Sequence, residues 1–121
     1  FYVGAIYLRL KDFNNSIRYL MNFSSQDFLL QARAYALIGD AYMEIDDFEK
    51  ASNYFRKASL HNSNKDFSPY YLNKYAIALE LKGDLNEAIN AHEIIINEYS
   101  TSVLFRESQK QKARLEGLNV E

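Results

Sequence analysis

The sequence predicts an all-α protein built from repeated helix-turn-helix units, and three observations support this fold class. One pattern of small and aromatic residues recurs at a spacing of roughly 35 residues. Asp-rich or Gly-containing turns separate the apolar helical segments. Short apolar runs such as 94–96 fall within helical periods, so no strand pattern remains. The length of 121 residues, 48% of them hydrophobic, indicates one domain with a core.

Composition and charge exclude several classes of function. The net charge of −2 argues against general attraction to nucleic acid or to an anionic membrane surface. The absence of cysteine excludes disulfides and thiol chemistry. No apolar run reaches the roughly 18 residues that a membrane span requires. The many aromatic side chains fall mainly at core places of the repeat, so we interpret them as packing residues.

The clearest copy of the repeat lies between Ala36 and Ala58. Gly39 lets a paired helix approach closely, and Tyr42, about one turn later, fills the space between the pair. Ala51 sits where the two helices cross, and Phe55 packs against the next unit. One helix pair cannot bury its apolar face alone, so the units must stack.

Two further units align with this one. The first carries the pattern at Gly4, Tyr7, Ser16, Leu20 and Phe23, and the third carries it at Ala76, Leu79, Ala88, His92 and Ile95. The longer spacing before the third unit places an insertion in the loop 61–68, where extra length costs little. The leading helix of the first unit should begin about three residues before Phe1, so we expect the chain to be part of a longer protein.

Turn residues predict where the helices begin and end. Asp46 with Glu49, and Asp84 with Glu87, have the spacing of capping boxes, and Gly83 suits a left-handed helix end. Ser24 or Ser25 could begin the third helix, and Ser68, which precedes a proline, could begin the fifth. Ser102 could begin the last helix, and Gly117 could end it. The predicted helices are 1–10, 13–23, 26–45, 47–60, 69–82, 85–98 and 103–116.

These motifs resemble the tetratricopeptide repeat (TPR), whose pattern is Leu-Gly-x-x-Tyr followed by Ala-x-x-x-Phe. The resemblance implies an α-α superhelix of three repeats, the first truncated, plus a C-terminal capping helix. Within a TPR domain spanning 1–121, the expected limits are about 1–24, 25–62 and 68–100 for the repeats and about 102–117 for the capping helix. It also implies a non-enzymatic scaffold that binds a protein partner.

In TPR proteins the first helix of each pair lines an inner groove, and the register identifies its residues here. This candidate partner-binding groove is largely apolar with a few charges, which suits an amphipathic helix or a peptide. The alternative is an oligomerisation module, in which the groove buries upstream helices of the same protein or a second copy. The candidate residues are Leu8, Arg33, Leu37, Asp40, Met43, Glu44, Tyr70, Lys74, Ile77 and Leu81.

No catalytic, metal or cofactor site is expected. His61 and His92 lack carboxylate partners at triad or ligand spacing; His92 takes an aromatic core place, and His61 should be solvated in a polar loop. The acidic cluster from Asp40 to Glu49 lacks the spacing and central glycine of a calcium loop. No phosphate-binding loop is present. An accessory domain for a catalytic region elsewhere in a longer protein is a third interpretation.

A narrower resemblance rests on the turns 22–25 and 98–100 and on the segments 38–44 and 69–72. These are similar to bacterial YfgM-like TPR proteins. That resemblance implies a membrane-anchored parent protein with its TPR domain on the periplasmic side of the inner membrane, where it would assist protein secretion or folding. If that resemblance does not hold, the expected location is the cytoplasm.

Overall fold

A computed structural model describes residues 1–61 and 64–119 of the chain. These residues form seven α-helices and no strand. The helices are α1 (Tyr2–Arg9), α2 (Phe13–Met21), α3 (Phe28–Glu44), α4 (Phe48–Leu60), α5 (Ser68–Lys82), α6 (Leu85–Glu98) and α7 (Phe105–Leu118). The predicted all-α repeat architecture is therefore confirmed.

The helices pack in chain order. Each helix contacts the next one, and α1 also contacts α3. The successive pairs α1–α2, α3–α4 and α5–α6 are the three predicted units, and α7 lies against α6. Residues 62 and 63, in the loop predicted to hold the insertion, and residues 120 and 121 lie outside the described part of the chain. The predicted limits of the domain, of its three repeats and of the capping helix remain predictions.

Close approach of paired helices explains two of the glycines. A Cβ atom built on Gly39 would lie 2.6 Å from the ring of Phe55, which is 1% exposed. A Cβ atom on Gly4 would lie equally close to Leu20 of α2. The buried Ser16 hydroxyl donates a hydrogen bond of 2.9 Å to the Gly4 carbonyl, joining α1 to α2. Because Gly4 of α1 and Gly39 of α3 have no side chain, a large side chain of the paired helix fits against each of them.

The turns within the three helix pairs share one geometry. Each has a residue with positive φ, followed by an aspartate whose side chain accepts a hydrogen bond from the backbone N–H three residues on. In each turn the aspartate N–H also donates to a carbonyl in the last turn of the preceding helix. The positive-φ residues are Lys11, Asp46 and Gly83, and the N-caps are Asp12, Asp47 and Asp84.

Asp84 and Gly83 take their predicted roles, but Asp46 does not. Asp47 is the N-cap of α4, and Asp46 occupies the left-handed position at φ 61°. Either aspartate could cap a helix by its chemistry. The turn decides between them, because it requires a left-handed residue directly before the cap.

Several other predicted helix ends are shifted. Asp27 caps α3 through the N–H groups of residues 29 and 30, whereas Ser25 accepts from the Asp27 N–H outside the helix. Ser68 is the first residue of α5, not its cap, and its hydroxyl accepts from the Asn64 N–H. Ser102 similarly precedes α7 without capping it, and Gly117 lies inside that helix.

The last helix has the character of a terminal cap. Its buried residues are Ser108 and Leu115, whereas Leu118 at its end is 58% exposed. Arg114 pairs with Glu80 of α5, and Lys112 pairs with Glu93 of α6 at 3.5 Å. One narrow face of α7 therefore covers α6, and the rest faces solvent.

Gly39→Ala should destabilise the protein by about 1–3 kcal/mol, because the added methyl group overlaps the fully buried ring of Phe55. Gly117→Ala is the matched control: it lies in a helix with no atom within 4 Å of its Cβ position. There the gain in helix propensity should stabilise by about 0.5–1 kcal/mol. Urea unfolding measures both. Equal effects of the two substitutions would contradict the close α3–α4 approach.

Substitution of the two neighbouring aspartates in the turn between α3 and α4 should change the stability of the protein in opposite directions. Asp46→Gly should stabilise by roughly 0.5 kcal/mol, because glycine adopts positive φ without a Cβ clash. Asp47→Ala should destabilise by about 1 kcal/mol through loss of the N-cap. Thermal unfolding of both variants tests the assignment, and the reverse pattern would restore Asp46 as the cap.

Candidate functional site

A cleft opens between the first helices of the three pairs. Its volume is about 590 Å³. Walls from α1, α3 and α5 enclose it, with contributions from the first residue of α2 and from the middle of α4. The lining residues are Leu8, Arg9, Lys11, Phe13, Asp40, Met43, Glu44, Phe55, Lys74 and Ile77. We refer to these residues as the inner cleft.

Six of the ten candidate groove residues line the inner cleft. They are Leu8, Asp40, Met43, Glu44, Lys74 and Ile77. The candidate list omits Lys11, Phe13 and Phe55, which belong to a turn and to the second helices. The register of first-helix positions cannot identify such residues. Phe13 directly follows Asp12, the N-cap of α2. Its place at the start of the second helix was the signal that could have put it beside the turn and the cleft.

The other four candidates lie elsewhere. Arg33 lines a separate depression of about 340 Å³ with Tyr71, and Tyr70 lines another one beside the loop that precedes α7. Leu81 is 53% exposed farther along α5. Leu37, expected in the groove, is buried in the main core cluster with Leu8 and Ile38. That placement was wrong, because Leu37 is buried in a core cluster that also draws residues from α1, α2 and α4.

An ion pair crosses the inner cleft. Lys74 Nζ of α5 lies 2.8 Å from the Asp40 carboxylate of α3, and both side chains are partly exposed. The same ammonium lies 5.6 Å from the centre of the Phe55 ring. Such a half-exposed pair contributes at most about 1 kcal/mol to stability, so we assign its main effect to orientation. It places one cation and one anion side by side among apolar walls.

His92 has the predicted packing role. It is 3% exposed, and its Nδ1 lies 3.3 Å from the hydroxyl of Ser108, so it joins α6 to α7. Burial is the main cause that lowers the pKa of His92 below its ordinary value of 6.5. Glu80 and Glu107 act in the opposite direction, and Arg114 acts with burial. The buried His92 side chain therefore belongs to the packed interface between α6 and α7.

His61, expected to be solvated, is instead partly buried. Its ring lies edge-on to Tyr35 and tilted against Phe28, at centre distances of 5.5 Å in both cases. Its Nε2 is buried and has no hydrogen-bond partner among the described residues. The polar sequence around His61 gave no sign of these contacts, which come from two residues of α3.

The described residues contain neither a cluster of metal ligands nor a helix that could cross a membrane. Among residues 1–61 and 64–119, no three acidic or histidine side chains converge as a metal site. In the same part of the chain, every helix is too short or too polar to cross a bilayer. The predicted acidic cluster is divided between the inner cleft, at Asp40 and Glu44, and the turn that begins α4.

Comparison with protein families supports the repeat assignment. The tetratricopeptide repeat model matches residues 32–60, which comprise most of α3 and all of α4. No curated protein matches the chain significantly. Tetratricopeptide repeats generally mediate protein–protein interactions and form a family of interaction scaffolds without enzymatic activity of their own.

Acidification should destabilise the protein through His92. The unfolded chain takes up this proton as the pH falls through about 6.5, whereas the folded state does so only at lower pH. The free energy of unfolding should therefore decrease from about pH 7 to about pH 5 more steeply for the wild type than for His92→Gln. Urea unfolding across this range measures the difference. Parallel profiles would show that His92 does not titrate differently on folding.

Proposed function

We propose that this protein is a non-enzymatic scaffold that binds a peptide or helix of a protein partner in the inner cleft. One observation supports this most strongly: exposed apolar side chains continue from the cleft along α5. Ile77 is 44% exposed in the cleft wall, and Tyr70 and Leu81 are 46% and 53% exposed on either side of it. These residues are seven and four positions from Ile77 and share one face of the helix.

The combination of apolar and charged side chains in the inner cleft favours an amphipathic partner. Leu8, Met43 and Ile77 supply apolar contacts, while Lys74 and Asp40 can exchange their mutual ion pair for partner groups. Apolar anchors give binding energy in such grooves, and a few polar groups fix orientation. A partner helix with apolar residues three or four positions apart and a charged flank has the complementary pattern.

A narrower role follows from the resemblance to YfgM-like proteins. We infer from it that the partner belongs to the bacterial secretion machinery, or to the chaperones that receive secreted proteins, and that the parent protein is membrane-anchored on the periplasmic side. Purified proteins of that machinery are accordingly the first partners to test. The alternative role is oligomerisation, in which a second copy, or upstream helices of the protein, occupy the inner cleft.

The test uses one pair of matched variants. Ile77→Asp places a charge in the inner cleft, and Ile94→Asp places the same charge on α6, outside the cleft, where Ile94 is 39% exposed. Peptides selected from a random displayed library against the wild type are measured by fluorescence anisotropy. Ile77→Asp should weaken binding about tenfold or more, and Ile94→Asp should change it little.

Each outcome decides between the interpretations. Equal affinity of all three proteins would contradict the proposed cleft. Oligomeric state is measured on the same variants by sedimentation. An oligomer that dissociates only in Ile77→Asp, without selection of cleft-binding peptides, would favour the oligomerisation module. Circular dichroism confirms that both variants are folded.

A further inference from the structure

A second groove lies on the other side of α3. Two adjoining depressions, with volumes of about 540 Å³ and 390 Å³, share Met21, Tyr54 and Lys57. Their floor includes Tyr35 and Tyr42 of α3. Residues 40 and 42 are about 200° apart around a helix, so Tyr42 faces away from the inner cleft, which Asp40 lines. We call this surface the tyrosine groove.

Every charged residue that lines the tyrosine groove is basic. These residues are Lys50, Arg56 and Lys57 of α4. Lys50 pairs loosely with Asp47 at 3.9 Å, and within the described residues Arg56 and Lys57 have no ion-pair partner. This is a local excess of positive charge on a protein whose net charge is −2. The inner cleft, in contrast, contains both signs.

Aromatic rings hold the two lysines in place. Lys57 Nζ lies 4.8 Å from the centre of the Tyr54 ring and 5.8 Å from that of Tyr35. Lys50 Nζ lies 5.6 Å from the centre of Tyr42, which stacks on Tyr54. Cation–π contacts of this kind orient the ammonium groups without neutralising their charge. The groove thus presents partly ordered cations beside the apolar side chain of Met21.

We propose that the tyrosine groove binds an acidic peptide segment, as a site separate from the inner cleft. Lys50 and Lys57 are seven helical residues apart, which is about 10 Å. Carboxylates at every third residue of a polyproline II segment recur at about 9 Å on one side of the peptide. Such a segment could pair with both lysines while an apolar residue between them contacts Met21.

Single-stranded nucleic acid is less compatible with these contacts. Base stacking requires exposed ring faces. Tyr42 is only 8% exposed and stacks on Tyr54, and Lys50 and Lys57 already lie over these rings. The groove therefore offers cations and few free aromatic faces.

The test measures binding of a fluorescein-labelled peptide of about ten residues with Glu at every third position. Lys50→Gln combined with Lys57→Gln should weaken binding by roughly 2- to 30-fold, since two partly exposed ion pairs are lost. Lys65→Gln combined with Lys110→Gln removes the same charge from exposed positions outside the groove and should have a smaller effect. A peptide with Gln in place of Glu should bind weakly to all three proteins.

The proposal is overturned if the wild type does not distinguish the Glu peptide from the Gln peptide, or if the two double variants lose equal affinity. It is also overturned if an oligothymidylate of matched length displaces the peptide and binds more tightly, which would assign the groove to nucleic acid. The Ile77→Asp variant should bind the Glu peptide normally, so failure at one groove is distinguishable from failure at the other.

Discussion

The close approach of paired helices at Gly39 and Phe55 is the constraint on which the rest of the structure depends. The Phe55 ring fills the space that a side chain on residue 39 would take, and it is 1% exposed. The same ring reaches the floor of the inner cleft, where the Lys74 ammonium lies 5.6 Å from its centre. One packing contact therefore sets the separation of α3 and α4, supports α5 and shapes the cleft between them. A wider separation of α3 and α4 would remove the Phe55 ring from its contact with Gly39 in the core and from its place in the inner cleft.

The fold could be predicted from the sequence because its determinants are local and repeated. Gly39, Phe55 and the capping aspartates occur at fixed spacings, and each has a direct steric or hydrogen-bonding reason. Helix ends were less predictable where two residues of suitable chemistry are adjacent. Asp46 and Asp47 can both cap a helix, and only the left-handed backbone of the turn separates their roles.

The candidate site was only partly predictable because exposure depends on neighbouring helices. Leu37 occupies a groove position by register, yet it is buried in a core cluster that includes residues of α1 and α2. His61 lies in a polar segment, yet Phe28 and Tyr35 cover its ring. The tyrosine groove is formed by α2, α3 and α4 together, so its separate basic lining is visible only after the helices are packed. Periodicity identifies the face of a helix, whereas the neighbouring helices decide which residues of that face reach solvent.

Packing in chain order has a consequence for how the protein can change over evolution and how it unfolds. Apart from α1 with α3, the substantial contacts join helices that are consecutive in the sequence. Cooperativity in such a linear array depends on each interface between neighbours, and a disturbance weakens with distance along the array. A helix pair could accordingly be duplicated or lost at one end without rebuilding a central core. Hydrogen exchange would then be expected to be slower in α2 to α6, each of which packs against a helix on both sides, than in α1 and α7.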